Sequence, residues 1–579
     1  MSVYRSLHRS FRALSRRQAL ACALLMAGAF ACALLVTIIS GRPQPGVHDE
    51  FSNLLAADTF SQGRLANPPH PMWVFFESMH IIHQPAYASM YPPGQGAAMA
   101  TGQVLAGDPI VGVWLSVAAM CGATYWMLLG WLPPRWALLG GILVLFKYVT
   151  LGRVHEYGTG GYWSQSYWGG AVAAMGGAIL FGALGRLRKG PPRIGHGIAL
   201  ALGASVLCNS RPFEGVLVTL PVALWLLLRL MRLDANGRTV MLRQVVLPAA
   251  IVMGLNFAFV ATYNLRVTGQ VTKLPWQHHH DQYCTFPIFV WQQPKPSDSV
   301  SWNHRELQIF HDEWEVSLWK SHQSAWDASI QSARKLRNLA AFYLASVPRF
   351  DQQINATADR VPIQRRTARW LMEVFGGMSI SEIFAGLILL SPLVALPIFA
   401  LRRRAVLPVV ACVLVVCGNL ITVATFPHYA APATAALILT YLGCLRLCRA
   451  RRSLQGRLQF NLVIGMTALA FAASFFSQGR SSVIPDGSGA RPRILSQLTT
   501  TDETHLVFVR YPTGHYVHRE RVYNDADIDG AKVVWARDMG EKNQELIDYF
   551  KDRRVWLLEV SNVTIEQQLQ AYPQRHSPN

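Results

Sequence analysis

Two adjacent carboxylates, Asp49 and Glu50, follow a long apolar segment near the N-terminus. A carboxylate close to the low-dielectric edge of a membrane can have a raised pKa and act as a general base. The alternative is structural: Asp49 would cap a helix, and Glu50 would be a solvated acid in its first turn. The local sequence alone favours the structural interpretation and leaves the catalytic one open.

The segment after this acidic pair predicts a helix. Its apolar side chains recur at helical spacing and are Phe51, Leu54, Leu55 and Phe60. This pattern is typical of an amphipathic helix lying on a membrane surface. Further along, Tyr91-Pro92-Pro93 precedes another apolar stretch, and the proline pair predicts an extended approach to the next helix.

A lone arginine and a run of histidines are further candidates for chemistry. Arg211 lies between two short apolar segments, where an arginine is costly unless it pairs or binds a ligand. Glu214 is close by, so a structural Arg211–Glu214 pair is an equally good interpretation. His278, His279 and His280 are consecutive, and consecutive side chains cannot all face one ion in regular structure.

The cysteines indicate neither a metal site nor a disulfide framework. Most of the nine lie in or beside apolar stretches, and Cys284 stands alone in a long polar segment. No Cys-x-x-Cys pair and no Cys/His spacing typical of zinc sites is present in the sequence. The sequence therefore predicts no cofactor and no metal ligand.

The candidate residues lie between or beside long apolar segments, which predict transmembrane helices. Of the 579 residues, 51% are apolar and only 15% are charged, whereas soluble domains have about 25% charged residues. We predict about 11 transmembrane helices, at residues 18–40, 110–130, 135–150, 170–186, 196–210, 214–231, 244–263, 379–400, 405–424, 431–447 and 459–476. The first is too long for the apolar core of a signal peptide, so we expect it to be retained.

The basic excess follows the predicted spans. The chain carries 53 Lys+Arg against 33 Asp+Glu, a net charge of +20. The predicted inner links are basic, as in Arg402-Arg403-Arg404, whereas the short outer links hold few basic residues. The positive-inside rule then predicts a cytoplasmic N-terminus and an extracytoplasmic C-terminus. The charge thus follows topology and does not indicate a nucleic-acid partner.

The same spans divide the chain into predicted parts. These are a basic cytoplasmic N-terminus 1–17, a transmembrane domain 18–477 with outer loops 41–109 and 264–378, a linker 478–492 and an extracytoplasmic domain 493–579. In the tail, we predict short strands at 504–511, 532–536 and 555–560 and a helix at 543–551. The tail is therefore expected to be a small α/β domain.

Taken together, the motifs have a recognisable order. A first span, the Asp49-Glu50 pair just outside it and Tyr91-Pro92-Pro93 are followed late in the chain by Phe426-Pro427-His428-Tyr429-Ala430-Ala431-Pro432. Over residues 15–450 this order resembles the GT-C superfamily of polyprenyl-phosphate-sugar-dependent glycosyltransferases. The nearest branch is the bacterial protein-mannosyltransferase and lipid A aminoarabinose transferase type.

The resemblance implies a mainly α, polytopic bundle in the bacterial inner membrane, with its active face on the periplasmic side. It implies transfer of one sugar, with inversion, from a polyprenyl-phosphate donor among the membrane lipids to a protein, lipid or glycan hydroxyl. By this resemblance Asp49 is the base, with Glu50 as its neighbour. The residues implied in substrate or donor-phosphate binding are Arg211, His428, Tyr429, Glu156 and Tyr91.

Structural roles remain open for several of these residues. His428 and Tyr429 equally suit a belt of aromatic side chains at the membrane interface. Glu156 is the loosest match, and the aromatic residues around it, including Trp163 and Trp168, could stack on sugars or could also belong to such a belt.

Two other classes of function compete with sugar transfer. A transporter or flippase of a lipid-linked substrate would also be polytopic, but transporters usually show related halves and acids at mid-membrane depth, and the sequence shows no such halves. A catalytically inert scaffold would use the tail as an interaction module.

Overall fold

The computed structural model describes residues 2–150, 162–345, 366–375, 380–403, 405–450, 454–478, 490–561 and 569–573. Most of them form helices. The remaining regular structure is a pair of very short strands in the first outer loop and a four-stranded sheet near the C-terminus.

The helices up to the long outer loop are α1 (Ser2–Arg16), α2 (Gln18–Ser40), α3 (His48–Ser61), α4 (Pro93–Ala106), α5 (Pro109–Trp131), α6 (Pro134–Thr150), α7 (Ala171–Lys189), α8 (Ile194–Cys208), α9 (Pro212–Arg232), α10 (Ala235–Met241) and α11 (Leu247–Thr268). A π-helical segment, Leu242–Val246, joins α10 to α11. Proline stands in the first turn of α4, α5 and α9, where its missing N–H costs no hydrogen bond.

The later helices are α12 (Pro275–Tyr283), α13 (Arg305–Gln308), α14 (Glu315–Lys320), α15 (Ala325–Ala340), α16 (Arg366–Phe375), α17 (Ile380–Leu390), α18 (Leu396–Ala400), α19 (Val406–Ile421), α20 (Thr434–Ala450), α21 (Leu454–Gln478), α22 (Ala490–Thr499) and α23 (Asn543–Tyr549). Short π or 3-10 turns lie at Trp73–Phe76, Ser297–Ser299, Ile309–Trp314, Ala341–Ala345, Ser391–Ala395, Pro427–Ala433, Val517–Arg519 and Gly540–Lys542.

All eleven predicted spans coincide with helices among the described residues. Seven helical segments are long and apolar enough to cross a membrane, namely Gln18–Ser40, Pro109–Trp131, Ala171–Lys189, Pro212–Arg232, Ala235–Thr268, Ile383–Ala400 and Pro427–Ala450. Two shorter apolar helices, Ile194–Cys208 and Val406–Ile421, lie between them in the chain. The protein is therefore a polytopic helical membrane protein, as the sequence predicts.

Contacts between the helix links agree with the predicted alternation of helix direction. Predicted outer links contact one another: the Gly94 N–H donates to the Asn209 carbonyl at 2.7 Å, and the Val290 N–H to the Ile421 carbonyl at 3.0 Å. Predicted inner links do the same, since Arg188 donates to the carbonyl of Arg403 at 2.8 Å. These contacts bring residues of predicted outer links together on one side and residues of predicted inner links together on the other.

The helix after the acidic pair exists but does not have the predicted surroundings. Leu55 is buried in a cluster with other side chains of the first loop and of the C-terminal domain instead of facing lipid. The Phe51 ring stacks on Tyr523 with centroids 4.0 Å apart. On the other side, a side chain at Gly96 would place its Cβ 2.6 Å from that of Ala56, so glycine permits α4 to approach α3. The helix therefore packs within protein on both sides.

The tail forms a sheet of four strands, β3 (His505–Arg510), β4 (Val533–Arg537), β5 (Arg554–Glu559) and β6 (Leu569–Ala571), in the order β4-β3-β5-β6; β1 (Ile81–Ile82) and β2 (Ala88–Ser89) belong to the first outer loop. Strand β3 pairs in parallel with β4 and β5, and β6 is antiparallel to β5. The three strands and the helix predicted in the tail are present. Helix α22, which begins inside the predicted linker, and strand β6 were not predicted.

Each face of the tail sheet is covered, which explains the nearly continuous apolar sequence of β3. Leu506 and Phe508 pack against the first outer loop, including Phe76. Val507 and Val509 pack on the opposite face, towards α22. One face of the tail sheet thus packs against the first outer loop, which carries Asp49.

Candidate active site

Asp49 lies in the first turn of α3, held by two side chains from the rest of the first loop. Its Oδ1 accepts a hydrogen bond from the Tyr91 hydroxyl and lies 2.9 Å from Nδ1 of His80. The same His80 nitrogen is 3.0 Å from the Tyr91 hydroxyl. The Asp49 side chain is 19% exposed, so the carboxylate is oriented by protein yet accessible. Val47, not Asp49, occupies the N-cap, so the predicted capping role is wrong.

His80 is the component that the sequence does not reveal. It has a φ of 63°, the one non-glycine residue with positive φ in the described part of the chain. This conformation is unfavourable for a residue with a Cβ and persists only where its surroundings impose it. Ser52 donates to the His80 carbonyl at 2.6 Å, and the Met90 N–H donates to it at 3.3 Å. These bonds hold the His80 backbone in the conformation that places its ring beside Asp49.

Glu50 faces away from Asp49, because successive residues on a helix point in different directions. It is 4% exposed, so it is not the solvated acid of the structural interpretation. Its Oε2 accepts from the Gly46 N–H at 2.8 Å and its Oε1 from the Tyr167 N–H at 3.0 Å. Burial raises its pKa to about 7, although these backbone donors oppose the shift.

The raised pKa of Glu50 predicts a pH dependence of stability. Because the folded protein holds this proton more tightly than the unfolded chain, the stabilisation is complete below about pH 4.5 and is lost as the pH rises through about 7. Glu50→Gln cannot ionise, so its thermal midpoint relative to wild type should rise between pH 5 and pH 8, by an equivalent of up to about 3 kcal/mol. The exposed control Glu545→Gln should show no such trend, and parallel pH curves for Glu50→Gln and wild type would contradict the assignment.

Imidazole rings cover one side of the Asp49–His80 pair. The centroids of His48, His279 and His311 lie 5.6, 6.1 and 6.4 Å from that of His80. Burial lowers the pKa of each of these three imidazoles, and it lowers that of nearby His518 to about 4. These four rings are therefore neutral near pH 7, and they enclose the base without competing with it for a proton.

Arg211 and Tyr429 form the cationic part of the site. The guanidinium lies 4.3 Å from the centroid of the Tyr429 ring, a stabilising cation–π arrangement. Arg211 and Glu214, both in the described part of the chain, make no direct ion pair, although they interact electrostatically. The predicted structural pair is therefore not formed, and the guanidinium is half-buried over an aromatic ring.

His428 has a packing role that the sequence does not separate from binding. It is 3% exposed, and its Nδ1 lies 2.5 Å from the Tyr162 hydroxyl. Trp168 packs on the His428 ring at 5.5 Å and is itself 8% exposed. Trp163, which is 2% exposed, stacks on Tyr148. These aromatic side chains are buried in the bundle, so they are poorly placed to stack on a sugar.

The site brings together most of the residues singled out by the sequence. Asp49 interacts electrostatically with Tyr162 and Tyr429, and Arg211 interacts with the same two phenols. Tyr91 contacts Asp49 itself. Glu156 lies outside the described residues.

The three consecutive histidines of the long loop have separate partners, as their spacing predicts. His278 Nε2 lies 2.9 Å from the Gln84 carbonyl, and His280 Nε2 lies 2.9 Å from the Phe286 carbonyl. His279 points inward to the imidazole group described above. Cys284, which the sequence presents as isolated, lies 3.3 Å from His311.

No protein-family model matches this sequence, and no curated protein matches it. Among solved structures, the chain is similar to ArnT from Cupriavidus metallidurans bound to undecaprenyl phosphate, at 14% identity over 93% of this chain and 92% of that one, with a TM-score of 0.41. Apo ArnT gives 15% identity, 92% coverage of each chain and a TM-score of 0.39.

A second similarity is to the oligosaccharyltransferase AglB from Archaeoglobus fulgidus in complex with an inhibitory peptide and a dolichol-phosphate. Its identity is 10%, over 92% of this chain and 69% of that one, with a TM-score of 0.40. Since these TM-scores are below 0.5, the functional conclusion depends on the residues of the site.

Proposed function

We propose that this protein is an integral-membrane glycosyltransferase that moves a sugar from a polyprenyl-phosphate donor to an acceptor hydroxyl on the periplasmic side of the bacterial inner membrane. The observation that supports this most strongly is the accessible Asp49 carboxylate, held by His80 and Tyr91. Arg211, a cation at the start of a membrane helix, interacts electrostatically with Tyr162 and Tyr429, and so does Asp49.

Asp49 is suited to act as the general base. His80 and Tyr91 both contact Oδ1, and the described side chains leave Oδ2 without a hydrogen bond. The acceptor hydroxyl gives its proton to this carboxylate as its oxygen attacks the anomeric carbon. The bond from that carbon to the phosphate oxygen breaks, and the phosphate leaves with the electron pair. The four neutral imidazoles that cover the Asp49–His80 pair do not compete with Asp49 for the proton of the acceptor hydroxyl.

The stereochemical proposal follows from the two carboxylates. A retaining mechanism needs a second carboxylate as nucleophile about 5 Å from the acid/base group and on the reacting sugar. Glu50 is buried, faces away from Asp49 and is bonded to the Gly46 and Tyr167 amides, so it is not placed to attack a sugar held at Asp49. A single displacement with inversion is therefore the mechanism that these residues favour.

Arg211 is suited to bind the departing lipid phosphate. The guanidinium lies 4.3 Å from the centroid of the Tyr429 ring and hydrogen-bonds to the Tyr429 side chain. Its remaining N–H groups are suited to form charge-assisted hydrogen bonds with phosphate oxygens. We expect Arg211→Gln to weaken binding of polyprenyl phosphate by about 10-fold to 100-fold, the range of charged hydrogen bonds.

The binding can be measured with the purified full chain in nanodiscs, by native mass spectrometry or by fluorescence of a labelled lipid. Arg266→Gln, at an exposed arginine in the last turn of α11, is the matched control and should bind as wild type does. If Arg211→Gln and Arg266→Gln bind polyprenyl phosphate with equal affinity, Arg211 does not bind the donor phosphate.

The cellular function can be tested by mass analysis of envelope glycans. Cells that produce wild-type protein should carry an envelope protein, lipid or glycan that is heavier by one sugar residue than in cells that produce Asp49→Asn at the same level. The mass difference would identify both the sugar and the acceptor. Identical envelope glycans in the two strains would contradict the proposed function.

A further inference from the structure

A buried group of potential metal ligands lies in the long outer loop, and one of its members, His311, is also one of the imidazoles that cover the Asp49–His80 pair. Cys284 Sγ, a ring nitrogen of His311 and a carboxylate oxygen of Glu315 lie within 4.8 Å of one another. The three residues are 4%, 0% and 8% exposed. The sequence does not show this group, because Cys284 is separated from His311 by 27 positions.

The thiol of Cys284 and the carboxylate of Glu315 both contact the same ring nitrogen of His311. Cys284 Sγ lies 3.3 Å from His311 Nδ1, and Glu315 Oε2 lies 2.7 Å from the same nitrogen. A nucleophilic Cys–His–acid triad instead requires the thiol and the acid to contact opposite ring nitrogens. Both contacts are to Nδ1, and the three donor atoms lie within 4.8 Å of one another, which is close enough for all three to bind one metal ion.

Local structure fixes each of these side chains. Cys284 directly follows α12, and its N–H donates to the His280 carbonyl at 3.1 Å. His311 lies in the π-helical segment Ile309–Trp314, and Glu315 begins the next α-helical segment. The i,i+4 spacing places His311 and Glu315 on one helix face, and π-helical segments are frequent at functional sites.

We infer that Cys284, His311 and Glu315 form a Zn²⁺ site. Zinc favours thiolate, imidazole and carboxylate ligands. In a tetrahedral site with the usual bond lengths, such ligand atoms are about 3.3 to 3.6 Å apart. The Sγ–Nδ1 distance of 3.3 Å agrees with this range, whereas Oε2, at 2.7 Å from Nδ1, would move outward to admit the ion. One thiolate, one carboxylate and one neutral imidazole balance the two charges of the ion, which suits a buried site. Three protein ligands leave one coordination position for a non-protein ligand.

A zinc ion at this position would stabilise the wall of the candidate active site. Phe310, next to His311, packs edge-on against His80 with centroids 5.4 Å apart. The ion would cross-link the end of α12 to the helical segment that carries Phe310. The inference does not depend on the sugar-transfer proposal, because zinc binding is measured without any substrate.

The test uses the full chain, purified in detergent without a polyhistidine tag, washed with a chelator and then loaded with Zn²⁺ or Co²⁺. Wild type should retain about one zinc per chain after desalting. The cobalt form should show the sulfur-to-cobalt charge-transfer band that marks a thiolate ligand. Cys284→Ser should lose the band and bind zinc at least tenfold more weakly, and Glu315→Gln should also weaken binding. Cys417→Ser, at an exposed cysteine, is the matched control and should behave as wild type.

The wild-type cobalt spectrum decides the question even if Cys284→Ser fails to fold. A folded wild type that retains no zinc, or a cobalt form without the sulfur band, would overturn the inference. Retention of the same zinc with the same affinity by Cys284→Ser would also overturn it, because the ion would then be bound elsewhere.

Discussion

Replacing Asp49 with asparagine should lower the rate of sugar transfer about a thousandfold or more, because asparagine cannot accept the proton of the acceptor hydroxyl. The amide is nearly isosteric with the carboxylate and can still accept a hydrogen bond from Tyr91, the partner of Asp49 in the site. The affinity for polyprenyl phosphate should therefore stay within about twofold of wild type, since the loss concerns an interaction made in the transition state.

The rate and the affinity are measured on the same purified protein in liposomes, by formation of free polyprenyl phosphate and by equilibrium binding of that lipid. Asp298→Asn makes the same chemical change at an exposed position of the long outer loop and should retain wild-type activity. Full activity of Asp49→Asn would exclude Asp49 as the base. A joint loss of activity and binding would assign Asp49 to substrate binding.

Replacing Arg537 with methionine should lower the free energy of unfolding by about 3 to 5 kcal/mol, the cost of leaving a buried charge without its partner. The Arg537 side chain is 2% exposed and its guanidinium lies 2.6 Å from the carboxylate of Glu520, which is 1% exposed. It also donates to the Glu77 carbonyl at 2.7 Å and lies 3.4 Å from Glu306. Arg537 thus links the tail sheet to both outer loops.

This prediction is measured by thermal unfolding of the full chain and by the rate at which a protease releases the tail. Arg554→Met breaks the 3.2 Å pair with Glu503, in which both side chains are 56% exposed, and should change stability by less than about 1 kcal/mol. Adding Glu520→Gln to Arg537→Met should restore part of the loss, because the unpaired charge is removed. Equal stability of the Arg537→Met and Arg554→Met proteins would contradict the account.

The sequence predicts the membrane helices because their determinants are local. The segment Gln18–Ser40 is 23 residues long, predominantly apolar and without a charged residue, and about 20 such residues span a bilayer. The tail strands are also readable, since Val533–Arg537 and His505–Arg510 have strand-forming, apolar sequences. The three-residue strand Leu569–Ala571 depends on pairing with its neighbour, which local sequence does not encode.

The candidate site is predicted only in part, because its geometry is tertiary. The order of motifs indicates Asp49, but nothing near His80 in the sequence shows that a positive φ turns its ring towards that carboxylate. The burial of Glu50 depends on the amide of Tyr167, 117 positions away. The local sequence therefore suggested wrongly that Glu50 is a solvated acid.

The same limit applies to the tail. Its composition predicts a separate α/β domain, but Tyr523 lies 2.6 Å from His48 Nδ1 and stacks on Phe51. The Ala526 N–H donates to Asp58 at 2.7 Å. These contacts, across more than four hundred positions, make the tail part of the support of α3, which the sequence of either segment alone does not reveal.

The most direct test of sugar transfer uses sealed liposomes that contain the purified protein and a polyprenyl-phosphate sugar, with an extract of envelope components as acceptor and no ion gradient. The quantity measured is free polyprenyl phosphate. The account predicts that wild type releases this lipid while the sugar moves to an acceptor, and that Asp49→Asn releases no more than protein-free liposomes. If the lipid-linked sugar instead crosses the bilayer intact and no polyprenyl phosphate is formed, the protein is a transporter and the account is wrong.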